Sequence, residues 1–170
     1  METRNKMAIT TSKIKVGTTT KTVYPGGSAH VGATAGWVTN NDKGALTCPV
    51  SITAGTAYIP VTGLNVGDVI TAFRVLGGSA GAQAKTLDAS LRKTYPHATD
   101  GSLTDASVQA MTQYATQVGK INSETILTTP ERVAAQYQYY ILLTVTTGNA
   151  GSFNINSVEV DIKRGWGQPV

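Results

Sequence analysis

Gly77-Gly78-Ser79-Ala80-Gly81 has the G-x-S-x-G spacing of a nucleophile elbow, where a serine on a sharp strand-to-helix turn is held clear of the sheet for acyl transfer. It follows an apolar run, Val69 to Leu76, as that motif requires. A helix must come next, yet Lys85 to Tyr95 alternates with period two. Leu87, Ala89, Leu91 and Tyr95 share one face, and Thr86, Asp88, Ser90, Arg92 and Thr94 share the other. A glycine-rich link between two strands is a hairpin loop. That is the expectation for Gly77 to Gly81, with no hydrolytic role for Ser79 or for His97 as its base. Gly17-Thr18-Thr19-Thr20-Lys21-Thr22 ends like a phosphate-binding loop, but it lacks the glycine directly before the lysine and no helix follows. His30 and His97 have no spaced His or Cys partners. Asp100 to Asp105 could offer two carboxylates to calcium, but without EF-hand spacing it reads as a polar turn. Cys48 is the single cysteine, which excludes an intrachain disulfide, and its apolar surroundings predict a buried thiol. A pair of carboxylates for glycoside hydrolysis is defined by its separation across a cleft, which sequence does not give. The residues therefore offer no convincing catalytic constellation, cofactor site or metal site.

The elements that must position these side chains are strands. Charged residues are only 14%, and Thr fills 26 positions against 18 for Gly, so polarity comes from hydroxyls and turns instead of charged helix faces. Gln136 to Thr147 is dense in Tyr, Ile, Leu, Val and Thr. In Ser152 to Arg164, Val158, Val160 and Ile162 alternate with Glu159, Asp161 and Lys163. Joined by Gly148 to Gly151, these two runs read as an antiparallel pair of a β-sandwich. A change of phase between Ile155 and Val158 predicts a β-bulge at Asn156-Ser157. Further strands are expected at Lys13 to Val16, Lys21 to Tyr24, Trp37-Val38, Ala45 to Thr53, Thr56 to Thr62 and Val69 to Leu76, the last a central strand. Thr104 to Ile121 carries both a helical stripe (Val108, Met111, Ala115, Val118) and an alternation (Val108, Ala110, Thr112, Tyr114, Thr116, Val118). The strand is chosen because the stripe is thin, with a short helix across one end as the alternative. A chain of 170 residues is the size of one domain. The expected fold is all-β: an antiparallel β-sandwich of jelly-roll type over 23–164, preceded by a basic arm with a short strand (1–22) and followed by a tail (165–170).

Charge is unevenly placed. Arg4, Lys6, Lys13, Lys15 and Lys21 against Glu2 put the whole net charge of +4 before Thr22, leaving a neutral body. A basic arm on a neutral body fits electrostatic attachment to an acidic partner surface, with a solvated tail as the alternative, and Arg4, Lys6, Lys13 and Lys15 are the expected contacts. No apolar run of signal-peptide length follows Arg4 and Lys6, and no stretch approaches the ~20 apolar residues of a spanning helix. The expectation is neither secretion by the usual route nor a membrane span. Tyr137, Tyr139 and Tyr140 form a visible aromatic cluster. A sugar-binding face is one reading of it, but Tyr137 and Tyr139 share a face with Ile141 and Leu143, which favours core packing or a subunit contact. Trp166 lies past the last strand, where a large aromatic is costly to expose, and reads as an anchor into a neighbouring chain, with folding back onto its own domain as the alternative. Tyr137, Tyr139 and Trp166 are thus the expected oligomer contacts.

Gly63-Leu64-Asn65-Val66-Gly67-Asp68-Val69-Ile70, Thr86-Leu87-Asp88-Ala89-Ser90-Leu91-Arg92-Lys93 and Tyr139 to Thr147 are the segments on which the chain resembles decoration (cement) proteins and related small β-sandwich head proteins of tailed bacteriophages. The resemblance covers about residues 45–164. It implies a non-enzymatic virion protein that binds the major capsid protein on the shell exterior, often as a trimer, and is assembled in the host cytoplasm. Nucleic acid and membrane are not expected partners. The alternative is a receptor- or glycan-binding module of a phage fibre, with an esterase or glycosidase well behind.

Overall fold

Alternation of β-branched and hydroxylated side chains becomes strand after strand in the computed structural model, which describes residues 17–25, 30–31, 37–40, 44–49, 54–80, 86–96, 101–111, 114–115, 119–146 and 151–164. In chain order the strands are β1 (Thr18–Val23), β2 (His30–Val31), β3 (Val38–Asn40), β4 (Ala45–Cys48), β5 (Ala54–Pro60) and β6 (Val69–Ala80). There follow β7 (Thr86–Pro96), β8 (Leu103–Ala110), β9 (Tyr114–Ala115), β10 (Gly119–Arg132), β11 (Gln138–Thr146) and β12 (Ser152–Lys163). No helix occurs among the described residues. The first sheet has the order β10-β6-β12-β4-β3, with β1 also on β12; the second has the order β2-β5-β11-β7-β8, with β9 also on β7. Most successive strands cross between the sheets, β7 and β8 staying in one as a hairpin, so β4-β12-β6-β10 faces β5-β11-β7-β8. This is the jelly-roll order, and every pairing is antiparallel.

Each sheet turns one face inward. Phe73, Val75, Phe153, Ile155, Val158 and Val160 of the first sheet meet Ile59, Leu87, Leu91, Ile141, Leu143 and Val145 of the second, all essentially inaccessible to water. Burial of each such side chain contributes roughly 1.5–3 kcal/mol. On the outer face of the first sheet, Arg74 joins three strands. Its guanidinium donates to Asp161 Oδ1 and Oδ2 (3.1 and 2.7 Å), Glu124 Oε1 (2.7 Å) and Glu159 Oε2 (3.3 Å). Thr20 of β1 donates to the same Asp161 (2.7 Å), which ties the first strand to the last. The turn predicted at Gly63 to Asp68 is closed by the Asp68 carboxylate, which accepts from the Asn65 amide (2.9 Å), while Gly67 sits at φ 91°, where a side chain would be strained.

Several sequence expectations change. β11 and β12 do not pair with each other. β11 lies between β5 and β7, β12 between β6 and the β4/β1 edge, and the chain crosses from one sheet to the other between them. Both runs need an inward face, and opposite sheets satisfy that requirement as well as one sheet does. Gly77, Gly78, Ser79 and Ala80 form no loop either but continue β6. At Gly77 a Cβ would run into the backbone carbonyl of Asn154, so glycine is what allows β12 to lie this close. The predicted bulge sits there: Ile155 faces Gly77, Ser157 faces Leu76, and Asn156 is the extra residue. Among the described residues β4 ends at Cys48, short of the expected Thr53, and the expected strand at Lys13 to Val16 lies outside them. Thr104 to Ile121 is strand wherever it is described except at Met111, just past the end of β8, and no helix occurs there among the described residues. β10 went unread in the sequence, because its polar run buries little beyond Ile121 and Leu127 and holds Pro130 where its register against β6 breaks.

Candidate functional site

Because β11 turns Tyr139, Ile141, Leu143 and Val145 inward, Gln138, Tyr140, Leu142 and Thr144 must face out. Cross-strand register places their neighbours. One row across the outer face of the second sheet reads Pro60, Tyr140, Arg92, Ser107; the next reads Tyr58, Leu142, Ser90, Ala110; a third reads Thr56, Thr144, Asp88. Four strands thus bring two tyrosines, an arginine, carboxylates and hydroxyls onto one surface. The Tyr58 and Tyr140 ring centroids are 5.7 Å apart at 49°, with Tyr58 exposed and Tyr140 half-buried. Beside them Arg92 grips Asp105: Nε lies 3.1 and 2.9 Å from the two carboxylate oxygens, and Nη2 lies 2.6 Å from Oδ2. The Tyr140 hydroxyl donates to Asp105 Oδ1 at 2.6 Å. Next to this triad is a depression of about 320 Å³ walled by Asp88, Ser90, Arg92, Ser107, Leu142 and Thr144.

The electrostatics keep the triad in one state near neutrality. Hydrogen bonding to Arg92, then to Tyr140, holds the Asp105 carboxyl below its ordinary range. Asp105 in turn raises Arg92. Burial, and next the bond to Asp105, pushes the Tyr140 hydroxyl up to about 12. A guanidinium, a carboxylate and a neutral phenol are therefore fixed together, an arrangement that presents donors and acceptors without requiring proton transfer.

The expected oligomer-contact tyrosines lie elsewhere, at one end of the space between the sheets. Tyr139 is 4% exposed; its hydroxyl donates to Glu131 Oε1 (2.9 Å), and burial together with that carboxylate raises its pKa. Lys93 Nζ meets the same oxygen at 2.7 Å and lies 4.6 Å from the centre of the Tyr137 ring. Tyr137 is half-buried, edge-on to Tyr95 and Tyr139. Tyr137 and Tyr139 also wall a hollow of about 310 Å³ with Val61, Leu64, Val66 and Val133. Trp166, the arm residues Arg4, Lys6, Lys13 and Lys15, and His97 lie outside the described residues. Ser79 stands within a strand, opposite Phe153 and Gly119, so the strand-to-helix turn of an elbow is absent there. Cys48 is a buried thiol. Asp105, one of the two carboxylates considered for calcium, is held by Arg92 and Tyr140, and no His/Cys/Asp/Glu cluster suited to a metal ion occurs among the described residues.

No family model matches the chain, and no curated protein resembles it in sequence. Solved structures with a similar course of chain include the enzymatically active domain of tailspike protein 4 of bacteriophage CBA120. There the TM-score is 0.36 at 16% identity over 68% of this chain and 15% of that one. A Clostridium thermocellum xylanase 10B structure, containing CBM22-1 and GH10 modules with xylohexaose, gives 0.38 at 13% identity, covering 81% of this chain and 24% of that one. TmCBM61 in complex with β-1,4-galactotriose gives 0.37 at 10% identity, covering 82% and 86%. This chain thus spans less than a quarter of the tailspike and about a quarter of the xylanase structure. At TM-scores below 0.4 none of these likenesses carries a function to this chain.

Two parts of the outer face were visible in the sequence: the polar stripe Asp88, Ser90, Arg92, Thr94, and a tyrosine cluster that includes Tyr140. Tyr58 and Asp105 were not, since only the pairing of β5 with β11 and of β8 with β7 brings them alongside.

Proposed function

We propose that the protein is a non-enzymatic glycan-binding β-sandwich module, the alternative to capsid decoration raised by its sequence, and that it binds through the outer face of the second sheet. The observation that carries this reading is the tilted Tyr58–Tyr140 pair lying flush with the Arg92–Asp105 pair and the hydroxyl-walled depression. A sugar presents apolar C–H faces and a rim of hydroxyls. Aromatic rings suit the first, and a fixed fork of donors beside a carboxylate suits the second. Since the triad is already mutually bonded, little ordering is required on binding. Within the phage virion that the sequence resemblance implies, such a module would serve attachment to a surface glycan. Capsid decoration is the competing reading, and it draws on the basic arm instead of this face.

The test is a glycan array probed with the wild-type protein and with Tyr58→Ala and Tyr140→Ala, run beside pull-down by purified capsids. The expected result is selective glycan binding that each substitution weakens by about tenfold or more, the cost of losing roughly 1–3 kcal/mol of ring contact, with little change in melting temperature. Absence of any glycan signal, together with capsid capture that Gln at Arg4, Lys6, Lys13 and Lys15 abolishes, would return the decoration reading.

A further inference from the structure

Charge and spacing on the outer face of the second sheet narrow the ligand beyond "a glycan". From these, and resting on the glycan-binding reading, we infer that the site takes a neutral oligosaccharide laid lengthwise along β7, and excludes sialylated, uronic-acid and sulfated chains. Arg92 is the cation of the three rows that cross this face, and its Nε and Nη2 are committed to Asp105. An acidic sugar would have to draw the guanidinium out of a bidentate ion pair, leaving Asp105 uncompensated, before gaining a partner of its own. The Asp88 side chain makes no hydrogen bond or ion pair among the described residues, yet it walls the depression. Among the described residues, Asp88 and Asp105 against Arg92 leave this face with one net negative charge, which repels an anionic ligand and suits hydroxyl donors.

Length follows from the same strand. Asp88 and Arg92 lie four residues apart on β7 and point the same way, so their Cα atoms are separated by roughly 13 Å. A single sugar ring cannot touch both. Between them Ser90 on β7 and Leu142 on β11 provide a hydroxyl and an apolar floor, and Thr144 stands opposite Asp88. A chain of sugars would meet Tyr140 and Arg92 at one end, with Tyr58 flanking the middle row across Leu142, and donate its hydroxyls to the carboxylate of Asp88 at the other.

Calorimetric titration of the full chain at neutral pH with cellotriose, galactotriose, glucose, galactose, sialyllactose and trigalacturonic acid tests this directly. The account expects at least one neutral trisaccharide to bind about tenfold or more tighter than its monosaccharide, with no heat from the two acidic ligands. Asp88→Asn, which keeps shape and removes charge, should weaken the neutral trisaccharide about tenfold. It should also lessen the discrimination against trigalacturonic acid, an effect that a purely structural role for Asp88 would not produce. Equal or tighter binding of an acidic ligand, or a monosaccharide as tight as its trimer, overturns the neutral-chain inference while leaving the glycan reading in place. Absence of binding by all six, accompanied by an empty glycan array, defeats both.

Discussion

Arg92, Asp105 and Tyr140 form a contact whose strength depends on one proton. The folded Asp105 carboxyl lies below its unfolded value of about 3.9, so its contribution to stability is complete above about pH 4 and fades as the pH falls through the folded value. With the Asp105 side chain 42% exposed, solvent screening keeps that contribution below about 1 kcal/mol. Asp105→Asn should therefore lower the melting temperature by no more than about 2–4 °C at pH 7, and the difference should shrink as the pH falls below about 4. Calorimetric melts of both proteins across that range provide the check. A gap that stays constant down to pH 2 would mean that neutral hydrogen bonding, not the ion pair, holds the three residues together.

At the scale of the element, β6 and β12 show what a sequence can and cannot specify. Alternation located β7, β11 and β12, and the phase change between Ile155 and Val158 located the bulge at Asn156. Periodicity records which side chains share a face but not which strand lies alongside, so β11 and β12 looked like one hairpin when they belong to opposite sheets. The glycines at the end of β6 were misread for a related reason: glycine marks turns and close backbone approaches alike, and only the position of Asn154 distinguishes them. That distinction is measurable. Gly77→Ala forces a Cβ against the Asn154 carbonyl and should cost about 1–3 kcal/mol. At Gly78 the added Cβ would meet only ordinary contact with Gly119 O at 3.6 Å, so Gly78→Ala should be neutral or stabilising by up to about 1 kcal/mol. Urea titrations of the two variants should separate accordingly; equal costs would place the close approach elsewhere.

For the whole molecule, the jelly-roll path assembles the candidate face from distant stretches of chain. Tyr58 on β5, Asp88 and Arg92 on β7, Asp105 on β8 and Tyr140 on β11 become neighbours because β11 inserts between β5 and β7. Fold class was therefore legible in composition and alternation, whereas the face was legible only in fragments, since no local pattern encodes which strands flank β11. The central claim is that this face binds a glycan, and amide chemical shifts followed by NMR during titration with a neutral trisaccharide test it most directly. The account predicts saturable shifts that cluster on β5, β7, β8 and β11 around Tyr58, Asp88, Arg92, Asp105 and Tyr140. Shifts that gather instead around Arg74 on the first sheet or in residues 1–16, or none at millimolar ligand, would contradict it.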